Sequence, residues 1–185
     1  MLMEIKTSRM ILRPWEMSDA DWLYFYAKDD EIGPLAGWPR HTSVENSKER
    51  IYRFLMRNEY YALYSIKEKH IIGSLALSIG KDSTLALEDN EAEIGYWLGR
   101  PFWGQGYMHE AIVGLLKHAF EDLKLERIYA SHNGENVRSE NVLNRLGFEL
   151  QSVKYHVYNT LLNEAFNMKV STLDKDKFYE LLKAY

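Results

Sequence analysis

The clearest pattern of apolar and polar positions lies in residues 107–124. Ala111, Leu115, Ala119 and Leu123 recur at every fourth position, with Ile112, Leu116 and Phe120 between them. That spacing gathers one wide apolar face and predicts a long amphipathic helix. Strand-like runs come before it, at residues 9–15 (ending at Pro14), 60–67, 71–79 and 93–98, with Glu68-Lys69-His70 as the hairpin turn between the second and third. Two earlier helices are expected. One runs through residues 21–26 with Ser18 as its cap, and the other opens at Ser43 and runs through Ile51, Phe54 and Leu55. Residues 33–39, Gly-Pro-Leu-Ala-Gly-Trp-Pro, form a loop on turn chemistry alone. After the long helix, residues 127–131 read as a short buried strand and residues 139–146 as a short helix, with Gly147 suited to its left-handed cap. Residues 148–158 and 165–172 are the last strands, and residues 174–185 close as a helix. Early helices, a meander, one crossover helix and further strands predict a mixed α/β sheet layered between helices.

Composition narrows the picture mainly by exclusion. A length of 185 residues fits one domain with a substantial core, here residues 1–185. Hydrophobic residues make up 46% and charged residues 27%, the balance of an ordinary globular protein. A net charge of -4 gives no basic footprint for nucleic acid. The chain has no cysteine, which removes disulfides, thiolate metal sites and cysteine nucleophiles. The six histidines show no metal-ligand spacing: His109 and His118 lie on one helix but not on one face. The opening Met1-Leu2-Met3-Glu4-Ile5-Lys6 is too short and polar for a signal peptide, and no apolar run reaches membrane-spanning length. The expectation is a cytoplasmic protein that binds neither membrane nor nucleic acid.

The richest chemistry sits between the 93–98 strand and the long helix, in Arg100-Pro101-Phe102-Trp103-Gly104-Gln105-Gly106-Tyr107-Met108. A strand, a glycine turn and a helix N-terminus in that order make an anion pocket. The first helical N–H groups lack internal partners, and the helix dipole favours negative charge there. Gly104 and Gly106 let the backbone turn sharply and a phosphate come close. The plainer reading is a tight strand-to-helix connection. A dinucleotide-binding Gly-x-Gly-x-x-Gly would need a third glycine where His109 stands.

This turn resembles the acyl-CoA pyrophosphate loop of the GNAT N-acetyltransferase superfamily, Gln/Arg-x-x-Gly-x-Gly/Ala. Pro101 stands at its first position, with Arg100 one residue early. Trp-Gly-x-Gly-Tyr followed by Glu110-Ala111 is similar to the Rim-type branch, the ribosomal-protein N-terminal acetyltransferases and their relatives. So are Asn136-Val137-Arg138-Ser139 with the later Leu146-Gly147-Phe148, and the opening Ser8-Arg9-Met10-Ile11-Leu12-Arg13-Pro14. The resemblance implies a GNAT-like α/β fold with a mixed, mostly antiparallel central sheet and helices on both faces. It implies an enzyme, a monomer or homodimer without a metal, that uses acetyl-CoA as co-substrate. The acceptor would be a primary amine, either a protein N-terminal α-amine or a small-molecule amine such as a polyamine or amino sugar, attacking the thioester directly. The alternative is a non-catalytic CoA or nucleotide sensor on the same scaffold.

Acetyl transfer to an amine needs a base, a donor for the oxyanion, and a proton or positive field for the departing thiolate. The resemblance points to Glu93 as the base, and apolar neighbours on a strand would raise its pKa; the competing role is packing. It implies that Trp97 and Leu98 offer backbone groups to the pantetheine arm and that Trp103, Gly104, Gln105, Gly106, Tyr107 and Met108 wrap the pyrophosphate. Asn136 matches the asparagine that bonds the pantetheine amide, or else caps a helix. Many relatives place a tyrosine acid where this chain has Leu143, which leaves Ser139 as the candidate proton donor or as a capping hydroxyl. Trp38 is a loop aromatic suited to an acceptor pocket. The acidic run Glu88, Asp89, Glu91 reads as a solvated turn or as an attractor of cationic acceptors.

Overall fold

The structure is a computed structural model and describes residues 4–183. Met1, Leu2, Met3, Ala184 and Tyr185, at the ends of the expected opening and closing segments, lie outside the described residues. Eight strands form one sheet in the order β1-β2-β3-β4-β5-β6-β8-β7. Five of the described ladders are antiparallel (β1–β2, β2–β3, β3–β4, β6–β8 and β7–β8), and β5–β6 is parallel. The mixed α/β sheet expected from the element order is therefore present, and it is mostly antiparallel, as the resemblance implies. The chain divides into two compact units, one drawing on Met1–Ala76 and Tyr96–Gly114, the other on Leu77–Gly95 and Leu115–Tyr185.

In the first unit β1 (Ile5–Lys6), β2 (Met10–Pro14) and β3 (Tyr60–Ser65) pair in sequence, followed by β4 (Ile71–Ile79). α1 spans Ala20–Ala27, and α2 spans Val44–Arg50 and continues as a wider π turn through Ile51–Leu55. Trp15, Leu23, Ala27, Ile51, Ala62 and Ile71 meet in one buried cluster. Ser43 caps α2 as expected, its hydroxyl accepting from the Asn46 N–H at 3.0 Å. Ser18 does not cap α1. It lies within a 3₁₀ turn, and its hydroxyl donates to Glu16. The buried Asp19 organises this corner instead, accepting the Arg13 fork at 2.7 and 2.8 Å and the Glu16 N–H at 2.9 Å. The short pair of residues in β1 carries too little pattern to be seen in the sequence.

His41 is buried in this unit and shares a 2.8 Å hydrogen bond with the Ser47 hydroxyl. Burial, with a contribution from the Arg50 charge, pushes its pKa down to about 4. An unfolded histidine titrates near 6.5, so between about 6.5 and about 4 the unfolded chain binds the extra proton and stability falls as pH falls. We expect this residue to cost about 2 kcal/mol at pH 5 relative to neutral pH. Urea denaturation of wild type and His41→Gln at both pH values checks this: the variant should lose that part of the acid sensitivity.

In the second unit the first half of β5 (Glu91–Leu98) pairs with β6 (Arg127–Asn133) from Glu91↔Arg127 to Ile94↔Ala130; residues from Tyr96 on belong to the first unit. β7 (Glu149–Asn159) and β8 (Glu164–Asp174) form a long hairpin, with β8 against β6. α3 covers Tyr107–Glu121, its residues through Gly114 belonging to the first unit, and α4 covers Val137–Arg145 and α5 Lys175–Lys183. Ala111, Ile112, Leu115, Leu116, Ala119 and Phe120 are all fully buried, so the four-residue period marks the apolar face of α3. The helix stops at Glu121, short of Leu123 and Lys124, because the chain turns there with Lys124 at φ 59°. Gly147 follows α4 at φ 83°, the left-handed conformation that favours glycine, and a Cβ there would also have to push the Leu181 side chain aside.

Candidate active site

The glycine turn connects β5 to α3 through a 3₁₀ turn at Arg100–Phe102. Gly104 has φ 72° and Gly106 φ 78°, the left-handed region that glycine occupies at little cost. A Cβ at Gly104 would meet nothing within 4 Å, so open space faces the backbone there. Gly104, Gln105 and Gly106 are exposed, whereas Tyr107 and Met108 turn their side chains inward and are buried. The first bond of α3 runs from the Glu110 N–H to the Gly106 carbonyl at 3.0 Å. Helix geometry leaves the preceding amides without intrahelical acceptors. Open backbone, left-handed glycines and a helix N-terminus meet the requirements of a phosphate cradle.

Side chains fix the turn from within. The Trp103 indole N–H donates to the Leu98 carbonyl at 2.7 Å, and the Gln105 amide donates to the Pro101 carbonyl at 2.6 Å. Trp97 and Leu98 lie at the end of β5, where the Gly99 N–H bonds the Ile72 carbonyl at 2.8 Å. A Cβ on Gly73 would come within 2.5 Å of the Trp97 carbonyl, so β4 and β5 approach closely here because Gly73 has no side chain. Trp38 packs against this end of the strand, its ring edge-on to Trp97 at 6.2 Å.

Arg100 lies over the Trp103 ring at 5.5 Å, but its hydrogen bonds go elsewhere. Its guanidinium forks onto Asp29 at 2.6 and 2.9 Å and reaches Glu31 at 3.4 Å. Its hydrogen bond holds the Asp29 carboxyl below its ordinary range. The cation that serves the glycine turn is Arg9, which lies 96 positions from Gln105. No local pattern couples such distant residues; the one signal was the place of Arg9 in the opening Ser-Arg-Met-Ile-Leu-Arg-Pro motif.

In the second unit Glu93 is 9% exposed and sits in a shell of hydroxyls. The Ser131 hydroxyl donates to Oε1 at 2.5 Å, and Ser83 and Thr84 donate to Oε2 at 2.8 and 3.1 Å. A carboxylate only accepts hydrogen bonds, and three donors match it. Sequence reasoning missed these partners. Ser131 lies two places beyond Tyr129, the residue opposite Glu93 in the parallel ladder, and so shares its strand face. Ser83 and Thr84 come from the irregular connection after β4, which carries no periodicity. Glu91 begins β5 rather than ending a loose acidic turn, accepting from the Tyr129 hydroxyl at 3.2 Å and lying 3.6 Å from Arg127.

Asn136 and Ser139 come together at the start of α4. The Asn136 side-chain oxygen accepts from the Ser139 backbone N–H at 3.1 Å, so Asn136 is the helix N-cap. Ser139 is buried, as is Leu143, whose apolar side chain belongs to the packed face of α4.

Comparison with known proteins agrees with this architecture. A family model described as an acetyltransferase (GNAT) domain matches residues 9–149. The chain is 32% identical over 152 residues to "Uncharacterized N-acetyltransferase p20" of Bacillus licheniformis, covering 80% of this chain and 83% of that one. It is 26% identical over 142 residues to the "[Ribosomal protein uS5]-alanine N-acetyltransferase" of Escherichia coli, covering 77% and 64%. Among solved structures, Mycobacterium smegmatis RimJ in complex with CoA-disulfide superposes with a TM-score of 0.75 at 21% identity, covering 98% of this chain and 94% of that one. The left-handed glycine turn at the head of α3 lies within the matched residues, and the chain belongs to the GNAT acetyltransferase family, an N-acetyltransferase.

Proposed function

We propose that this enzyme transfers the acetyl group of acetyl-CoA to the N-terminal α-amine of a protein. The observation that carries the cofactor half is the open, left-handed turn at Gly104 and Gly106 ahead of α3. An anion fits there without displacing a side chain, and the dipole of a 15-residue helix favours it. The acceptor half is supported by relatives named for acetylating ribosomal-protein alanine and serine residues.

Acetyl-CoA supplies an activated thioester, so no covalent enzyme intermediate is needed. Backbone amides of residues 104–108 hold the pyrophosphate, while the Trp103 backbone N–H is spent on the Arg100 carbonyl at 3.2 Å. The end of β5, at Trp97 and Leu98, lines the pantetheine arm with backbone groups. Asn136 adds a side-chain contact to that arm while it caps α4. Glu93 takes a proton from the acceptor ammonium, directly or through a water, so that the free amine can attack the thioester carbonyl, and its three hydroxyl partners fix the carboxylate and offer a relay path. A sensor has no need of a carboxylate held by three donors, so this arrangement favours turnover over mere binding.

Ser139 is the proton donor to the departing thiol. The cap bond uses its backbone N–H, so Ser139→Ala leaves that bond in place. A free thiol has a pKa near 8.5, so departure as thiolate is tolerable and an acid helps modestly. Ser139→Ala should lower turnover by roughly ten- to a hundredfold. The loss should be greater below about pH 8 than above it, because a thiolate needs less help in alkaline solution. A pH–rate profile unchanged from wild type would return Ser139 to a packing role. The acceptor is tested with peptides carrying N-terminal alanine or serine against polyamines and amino sugars. Preference for the peptides supports the proposal, and preference for a small amine overturns its acceptor half.

A further inference from the structure

We propose that Arg9 and Glu110 form a latch that sets the glycine turn for pyrophosphate and cancels the carboxylate at the head of α3. The inference rests on the acetyl-CoA reading above and adds the residues that position the loop. Glu110 lies in the first turn of α3, where a carboxylate stabilises the helix dipole but repels a second anion. Arg9 engages both of its oxygens: the backbone N–H donates to Oε1 at 2.8 Å and the guanidinium Nε–H to Oε2 at 2.6 Å. Burial alone would raise the Glu110 pKa, but hydrogen bonds from Thr7 and Arg9 outweigh it and hold the carboxyl below its ordinary value. The ion pair is therefore intact at neutral pH.

The same guanidinium reaches the turn. Its Nη1 donates to the Gln105 carbonyl at 2.9 Å, its Cζ lies 4.0 Å from the centre of the Tyr107 ring, and its Nη2 is 3.6 Å from where a Gly106 Cβ would stand. In a trans peptide the C=O and the next N–H point in opposite directions. Fixing the Gln105 carbonyl on Arg9 therefore points the Gly106 N–H away from Arg9. One side chain thus neutralises the competing carboxylate, orients an amide of the cradle and packs on the ring of the first helical residue. Arg9 is a positioning residue of the cofactor loop. Lysine cannot replace it, because an ammonium lacks the planar fork.

The test compares two thioesters, acetyl-CoA and acetyl-pantetheine, which lacks the pyrophosphate, with wild type, Arg9→Met and Arg9→Met/Glu110→Gln. Wild type should prefer acetyl-CoA. Arg9→Met should raise KM for acetyl-CoA by about tenfold or more, the scale of a lost charge-assisted hydrogen bond, and leave kcat/KM for acetyl-pantetheine within about twofold, well under that scale. The double variant removes the unpaired carboxylate and should recover part of the lost acetyl-CoA affinity; it also covers the case in which the single variant folds poorly. Equal losses with both thioesters, or no recovery in the double variant, would overturn the latch while leaving the cofactor reading standing. A wild-type enzyme that uses both thioesters equally would overturn the cofactor reading, and the latch with it.

Discussion

Gly104→Asp should abolish acetyl-CoA binding in a protein that remains folded. The position has φ 72° with open space around it. Aspartate and asparagine are among the side chains that tolerate this region best, so the fold should survive. A carboxylate there would sit where the pyrophosphate charge is proposed to lie, and like charges at short range in a partly desolvated cradle repel strongly. Gly104→Asn is the control, with the same shape and no charge. Calorimetry should find no acetyl-CoA binding to the aspartate variant and weakened but measurable binding to the asparagine one. Near-wild-type affinity in a folded Gly104→Asp protein would remove the phosphate role from this turn.

Glu93→Gln should lower turnover by about 10² to 10⁴, the usual worth of a general base, with acetyl-CoA affinity nearly unchanged. The substitution is mild structurally. The amide oxygen still accepts from hydroxyls, and the amide N–H2 can donate to hydroxyl oxygens, which also accept. The defect should shrink as pH rises, since the acceptor amine then loses its proton to solvent. A loss of less than about threefold across the pH range, far below the general-base scale, would assign the buried carboxylate to holding Ser83, Thr84 and Ser131 in place.

Much of this fold was legible because its signals are local. The period of α3, the hydroxyl cap at Ser43, the turn before His70 and the left-handed Gly147 each depend on residues within a few positions of one another. Where a local signal failed, a distant partner had won. Ser18 lost the corner before α1 to the buried Asp19, which Arg13 holds from β2. Arg100 does lie beside the phosphate turn, over Trp103, yet Asp29 claims its fork. The candidate site divides in the same way. The glycine turn reads directly from the sequence, since no other residue accepts two left-handed positions so cheaply. The shell of Glu93 and the Arg9–Glu110 pair do not: Ser131 lies 38 positions from Glu93 and Glu110 lies 101 from Arg9, while Ser83 and Thr84 come from a connection without a pattern, so only the fold brings these groups together.

The most direct test of the account is turnover itself. The purified protein is incubated with acetyl-CoA and a panel of peptides with free N-termini, polyamines and amino sugars, following free-thiol release and the acetylated product together. The account predicts thiol release that depends on the acceptor, matches product one for one, and is strongest with the peptides. Tight binding of acetyl-CoA with no acceptor-dependent thiol release across the panel would contradict it and leave a cofactor-binding sensor in place of an enzyme.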